Sequence, residues 1–541
     1  MSQQSKTTGS SDLLLALGAG SLWPLAALLV FLTANDYSVV AAEVMVIYLV
    51  PLTLGLALAA LVAIRRPQLA RIGLWAYVSG SIIMMLGDAS VLRFLLVAIA
   101  VGLVIRLLRD TATPILLIAA IVHGASTLAF SGSPSDGHAQ YTSANSAAGT
   151  MSESDLAPVL HIVLDEMIGP HGIPPNDPAA GSVHERISSI FAARGFTVYD
   201  RAYAEYVGTS DSLSNLFNFD ASPIQQQYFS RPVARPVLTA NRYFDHLRDL
   251  GYAIHVHQST HLDFCGYRDA AVASCSTYRS NSIHSVEDAA MPTIEKARLV
   301  LNSFLESARA WRGLRLAYNR SVDALGLEWP VWALSNSHTG PLTSVPVANQ
   351  LGKQVANIEA GEVYFAHLML AHYPYALDAD CVIKPRLDTW LYRAPRAVLR
   401  TLEPQNNAAS RQRRYQHYLQ QYQCTLSLVD EILQQAASGE EWDRAIVIIH
   451  GDHGSRIVRQ FPLGDGNATP DDYRDVYSTF FAARNGAATS QASDSPLPLS
   501  AILADIWEIA PPDSDQHRVF AAELGAADLV AIPLRGFDRE Q

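Results

Sequence analysis

Two apolar runs in this chain stop on the same kind of chemistry. VLHIVLDEMIG ends at Asp165 and Glu166, and AIVIIHGDHGS ends at His450, Gly451, Asp452, His453 and Gly454. Short apolar runs of this kind are read as buried strands. In a mostly parallel sheet, ligands bind outside the carboxyl ends of the strands, so both clusters are expected on one edge, within reach of a shared cation. Asp, Glu and His are donor types that suit zinc or manganese. The glycines flanking Asp452 and His453 are read as allowing a tight turn that aims both side chains one way. Asp165 alone is equally a helix N-cap. The pairing of the two clusters is what points to a cation.

Ester chemistry at such a cation needs a nucleophile. The segment AEYVGTSDSLSNLFNF supplies Thr209 after a glycine, then Ser210, Asp211, Ser212 and a helical apolar run. A hydroxyl at a helix N-terminus meets the positive dipole end and free N–H groups, which suits attack on an anionic ester. Coordination to a cation lowers its pKa. An ordinary Ser/Thr cap has the same local pattern. His372 follows the strand-like run VYFAHLML and falls at the same edge, although a His between apolar neighbours is also a common structural residue.

From Pro158 onward, short apolar runs alternate with amphipathic stretches, the pattern of an α/β domain. Strands are expected at Val159–Leu164, Phe196–Tyr199, Ala253–His257, Val363–Leu370, Ala445–His450 and Thr479–Ala483. Helices are expected at Val183–Arg194, Ser212–Phe217, Arg242–Leu250, Pro292–Ala310 and Arg411–Ala437. Residues 131–157, rich in Ser, Gly and Ala, are read as a flexible tether.

Ahead of the tether, charges are few. About five apolar segments approach bilayer length, at roughly 12–34, 39–63, 72–87, 91–108 and 113–130. Arg65, Arg66 and Arg71 lie in one loop, with Arg106 and Arg109 in another, and Lys6 precedes the first segment. The alternate loops hold Asp36 and Asp88, with Arg93 the only nearby exception. Basic loops stay cytoplasmic, so the expected topology is multi-pass in the inner membrane, N-terminus inside and everything after residue 130 extracytoplasmic. The expected organisation is a transmembrane region over 1–130, the tether over 131–157 and a catalytic domain over 158–541. The net charge of −12 belongs mainly to the last part and, without a basic stripe, gives no support to nucleic-acid binding. Cys265, Cys275, Cys381 and Cys424 all fall in the exterior part; Cys265 with Cys275 is the preferred local pair among three connectivities.

In chain order, the strand ending in an acidic pair, the GTSDS segment, HYPY (His372–Tyr375) and GDHG resemble the alkaline phosphatase/sulfatase superfamily. With five membrane segments in front, the chain looks most like the branch of lipoteichoic acid synthase and the phosphoglycerol or phosphoethanolamine transferases. The resemblance covers roughly residues 158–485. It implies an α/β/α sandwich and a metal site of Glu166, Thr209, Asp452 and His453, with Thr209 also the nucleophile. Asp165 takes the place of an extra acidic ligand in true sulfatases, where the transferase branch usually lacks an acid. His372 resembles the histidine that contacts the transferred phosphate or leaving group. His257 and Arg268, in HVHQSTHLDFCGYRD, fall where relatives grip the phosphate head group, and Arg456 after GDHGS is a further anion-binding candidate.

The expected reaction is metal-dependent transfer of a phospholipid head-group phosphate to an envelope glycan, lipid or polymer through a phosphothreonine. A membrane-anchored phosphoester, phosphodiester or sulfate-ester hydrolase is the alternative. No cysteine sits in the C-x-P-x-R setting that classical sulfatases modify. A non-catalytic binding protein on the same fold is disfavoured by the presence of Glu166, Thr209, Asp452 and His453 together.

Overall fold

The computed structural model describes residues 8–63, 156–230, 236–266, 272–280, 282–307, 339–390, 407–458, 468–485, 495–511, 517–522 and 528–537, with isolated positions between 96 and 125 and at Ser321 and Leu325. The chain divides into two compact units. Helices are numbered along the chain: α1 Thr8–Ala34, α2 Ala42–Ala63, α3 Ala180–Phe191, α4 Thr209–Leu216, α5 Arg242–Asp249, α6 Thr293–Glu306, α7 Gly340–Val355, α8 Ala408–Ala436, α9 Pro470–Tyr477 and α10 Leu499–Ile506.

The larger unit, drawn from 139–281, 338–384 and 392–541, is built on a seven-stranded sheet. Its strands are β1 Val159–Leu164, β2 Thr197–Val198, β3 Ala253–Ser259, β4 Ser274–Tyr278, β5 Glu362–Leu368, β6 Ile446–Gly451 and β7 Phe481–Asn485. They lie in the order β2-β7-β6-β1-β5-β3-β4. Neighbours are parallel except at β7, which runs against both β6 and β2. All six residues of β1 are buried. A parallel strand covered on both faces needs this continuous apolar run. Leu164 pairs with Leu368 on one side and Gly451 on the other, so β1, β5 and β6 end level. That register brings Asp165 and Asp452–His453 to one edge, as the two sequence clusters require.

All six expected strands are present, with ends shifted by a few residues. The strand at Ser274–Tyr278 was not expected because SCSTY has no apolar pattern. α7 was hidden by Pro341 and Pro346. α9 had a legible signal: Thr469 caps it in a capping box with Asp472, ahead of Pro470 at the first turn. Disulfides join Cys265 to Cys275 and Cys381 to Cys424.

The smaller unit gathers the N-terminal helices with described parts of 282–337 and 385–391. Ala27, Leu28, Leu32, Val44 and Ile47 of α1 and α2 share one apolar cluster with Ile283 and with Ala297, Val300 and Phe304 of α6. The Ser38 N–H donates to Glu287 at 3.2 Å, and His284 Nδ1 to the Asp36 carbonyl at 2.8 Å. Among the described residues no helix is long and apolar enough to cross a membrane. The expected segments at 72–87, 91–108 and 113–130 lie outside the described residues, apart from a few isolated positions.

Candidate metal and nucleophile site

β1 delivers Asp165, whose own N–H is held by the Leu368 carbonyl at 3.0 Å. β6 delivers Asp452 and His453. One donor atom each from Asp165, Asp452 and His453 lies within 4.8 Å of the others, and all three residues are buried. Asp452 is oriented by two N–H donors on Oδ1, from Glu166 at 2.9 Å and His453 at 3.0 Å. Its Oδ2, like Oδ2 of Asp165, is buried without a hydrogen-bond partner. His453 Nδ1 donates to the Gly454 carbonyl at 2.9 Å, which fixes the tautomer and turns the Nε2 lone pair into the cluster. That Nε2 is 3.2 Å from Asp452 Oδ2 and 3.8 Å from Asp165 Oδ1.

Thr209 opens α4 and is buried, with its Oγ1 3.3 Å from His453 Nε2 and 3.5 Å from Asp165 Oδ1. Three residues on, Ser212 Oγ donates to the Asp452 carbonyl at 2.6 Å, tying α4 to the turn that carries Asp452 and His453.

Glu166 stands apart from this group. It has a left-handed φ of 61°, and the close group of donor atoms is formed by Asp165, Asp452 and His453 without it. Glu166 pairs with the Arg456 guanidinium, accepts from the Tyr373 N–H at 2.9 Å and lies 3.7 Å from His372 Nε2. Arg456 and His372 therefore meet at Glu166, on the rim of the cluster. His257 lies level with Ala366 and Ile162, three residues short of Asp165. It pairs with Ala366, so its side chain takes the face opposite to that of His367, and its ring packs on Tyr364. Arg268 lies outside the described residues.

Two nearby histidines had no part in the sequence reading. His367, at the end of β5, lies 3.6 Å from Asp165 Oδ2 with both ring nitrogens buried and unpartnered. His261 faces His372 at 6.4 Å between ring centres. His367 sits inside the apolar run VYFAHLML, where its face could be assigned only once the register was known.

The charges are arranged for a cation. Burial pushes Asp452 up, and the neighbouring Asp165 adds to it. Burial also pushes Asp165 up, but His372, His367 and His453 outweigh it and hold that carboxyl well below the usual range. Burial likewise opposes ionisation of Glu166, and Arg456 and His372 overcome it. His372 is raised, with Glu166 and Asp165 outweighing its burial. Two buried carboxylates this close cannot both stay charged without a counter-ion. The orphaned oxygens, the aimed imidazole and the hydroxyl are a donor set that fits a divalent metal.

Gly451 and Gly454 serve this turn differently from the expected way. Neither has a positive φ among the described glycines. A Cβ on Gly451 would meet the Met167 carbonyl oxygen at 2.4 Å, and one on Gly454 the Asp475 carbonyl oxygen at 2.1 Å. They are needed for close backbone approach.

No protein-family model and no curated protein matches the sequence. Solved structures are similar at low identity. One is the C-terminal periplasmic domain of EcEptC from Escherichia coli in complex with Zn, 9% identical over 73% of this chain and 95% of that one, with a TM-score of 0.39. Another is the phosphonate monoester hydrolase of Agrobacterium radiobacter, 13% identical over 67% of this chain and 79% of that one, at 0.40. A third is BT1596, a 2-O GAG sulfatase, 14% identical over 67% and 73%, at 0.38. These neighbours belong to the superfamily that the motifs resemble. At these scores the likeness carries no argument, and the functional reading rests on the site itself.

Proposed function

We propose that this chain is a divalent-metal-dependent enzyme of the alkaline phosphatase/sulfatase type that transfers a phospholipid head-group phosphate, as phosphoglycerol or phosphoethanolamine, to an envelope glycan, lipid or polymer. The observation that carries the reading is the buried Thr209 hydroxyl at a helix N-terminus, within 3.5 Å of both His453 Nε2 and Asp165 Oδ1. Asp165, Thr209, Asp452 and His453 would hold the cation, zinc or manganese. When bound, it supplies Lewis-acid stabilisation of phosphate charge and a lowered hydroxyl pKa.

The residues of the chain do the rest. Thr209 Oγ1, its proton released to solvent, attacks phosphorus, the bond to the diacylglycerol oxygen breaks, and His372, whose protonated form Glu166 and Asp165 favour, gives that oxygen its proton. An acceptor hydroxyl then attacks the phosphothreonine and gives its proton to His372, and Thr209 Oγ1 leaves as the alkoxide that began the cycle. Arg456, at the rim beside Glu166, is placed to hold a phosphate oxygen.

Membrane embedding of the N-terminal region is part of the proposal. It is supported by the basic loops and by the outward Leu49, Leu52, Leu54 and Leu56 of α2. The two disulfides support an extracytoplasmic catalytic unit. An embedded anchor keeps the site near lipid donors and raises their effective concentration.

Thr209→Ala is expected to abolish turnover with folding retained; full activity in that variant removes the nucleophile. Asp165 in the cluster favours a second reading, hydrolysis, since an acid there matches the sulfatase side of the superfamily. Protein in vesicles with head-group-labelled phospholipid separates the two: label on a glycan or lipid acceptor means transfer, and label only as free head-group phosphate means hydrolysis.

A further inference from the structure

β1 carries one polar side chain, His161, in an apolar run buried at every position. A buried imidazole needs partners on both nitrogens. Its Nε2 lies 2.9 Å from Nε2 of His450 on β6, and its Nδ1 lies 2.9 Å from the Tyr243 hydroxyl on α5. Nδ1 of His450 lies 2.7 Å from the Gly451 carbonyl oxygen. All three side chains are 0% exposed.

These contacts admit one arrangement of hydrogens for neutral rings. A carbonyl oxygen only accepts, so His450 donates from Nδ1 and its Nε2 is left as an acceptor. The facing His161 Nε2 must then donate, which leaves His161 Nδ1 accepting from the Tyr243 O–H. The chain of donors runs one way, from Tyr243 through His161 and His450 to the Gly451 oxygen.

That oxygen belongs to the planar peptide unit whose N–H is that of Asp452. Fixing its direction fixes how the backbone enters the turn that presents Asp452 and His453. The neighbourhood leaves no slack, since even a Cβ on Gly451 would collide with Met167 and Thr479.

We infer that Tyr243, His161 and His450 are positioning residues for the cation site, setting the Gly451–Asp452 peptide through donor polarity. The inference rests on the proposed cation site and needs nothing about the substrate.

The test is zinc titration of the purified full-length protein against a chromophoric chelator, with thermal unfolding of the metal-free protein alongside. His161→Phe keeps the ring volume beside Phe217 and Phe365 but has no ring nitrogen. Its zinc affinity is expected to fall by about tenfold or more, the range seen for outer-shell partners. Tyr243→Phe removes only the terminal donor and is expected to lose affinity by a smaller factor while staying folded. His161→Gln, whose amide can accept and donate in the same order, is expected to recover most of it. If wild type binds zinc and the folded Phe variants bind it equally well, the inference is overturned and the cation site stands. A lowered unfolding temperature with unchanged affinity likewise overturns it, because that marks packing alone. If His161→Phe does not fold, Tyr243→Phe decides. If wild type itself binds no zinc, the cation reading fails first and takes this inference with it.

Discussion

Asp452 uses one carboxylate oxygen to hold its own turn and turns the other toward Asp165 and His453. Asp165 is therefore as much a candidate ligand as the residues the motif alone would select. Asp165→Asn is expected to weaken zinc or manganese binding by about 100-fold or more, beyond the usual cost of an outer-shell change, as read by metal content after dialysis. Glu205 makes a different prediction. It is buried four residues before Thr209, accepts from Ser500 Oγ at 2.7 Å, and burial raises its carboxyl from 4.5 to about 7. Its stabilising contribution is complete below pH 4.5 and is lost as pH rises toward about 7, since only the unfolded chain ionises freely in that window. Glu205→Gln should therefore flatten the fall in unfolding temperature across that window, worth on the order of 2–3 kcal/mol at its upper end. Thr209, Asp452 and His453 were legible because glycine and apolar flanks mark them. The different surroundings of Asp165 and Glu166 were not, since they depend on which distant residues each carboxylate meets: Asp452 and His453 for one, Arg456 and His372 for the other.

At the scale of elements, α8 contributes more to the site than its sequence announces. Tyr418 accepts from the Ile168 N–H at 2.8 Å and donates to the Glu166 carbonyl at 2.7 Å, while Tyr422 donates to the Ile168 carbonyl at 3.0 Å. Together they clamp the turn that follows β1. Tyr418→Phe leaves a buried N–H and a buried carbonyl without that partner, a loss of about 1–3 kcal/mol, measurable by denaturant unfolding. Activity should fall with it, because the clamp holds the left-handed residue. The period of α8 showed a helix but not that its tyrosines face the edge that carries the candidate site; that follows only from tertiary packing. Strand order was equally hidden. The apolar runs identified β1 and β6 as strands, but nothing local says that they are neighbours or that β7 turns against them.

At the scale of the whole molecule, the division after residue 130 describes the membrane expectation and the acidic exterior part, but the compact units do not follow the linear order. The chain leaves the larger unit after residue 281 and again after 384, joining the N-terminal helices each time. Sequence texture could not show this, because α6 looks like any amphipathic helix of the larger unit. This interleaving has a practical side. A polypeptide begun at residue 158 would keep every residue of the candidate site, yet Ile283, Ala297, Val300 and Phe304 would lose the helices they pack on. Such a fragment should self-associate or cling to detergent, as light scattering with and without micelles would report, and charged substitutions at Val300 and Phe304 should relieve it. The boundary that makes an enzyme easiest to purify is, in this protein, a cut through one of its hydrophobic cores.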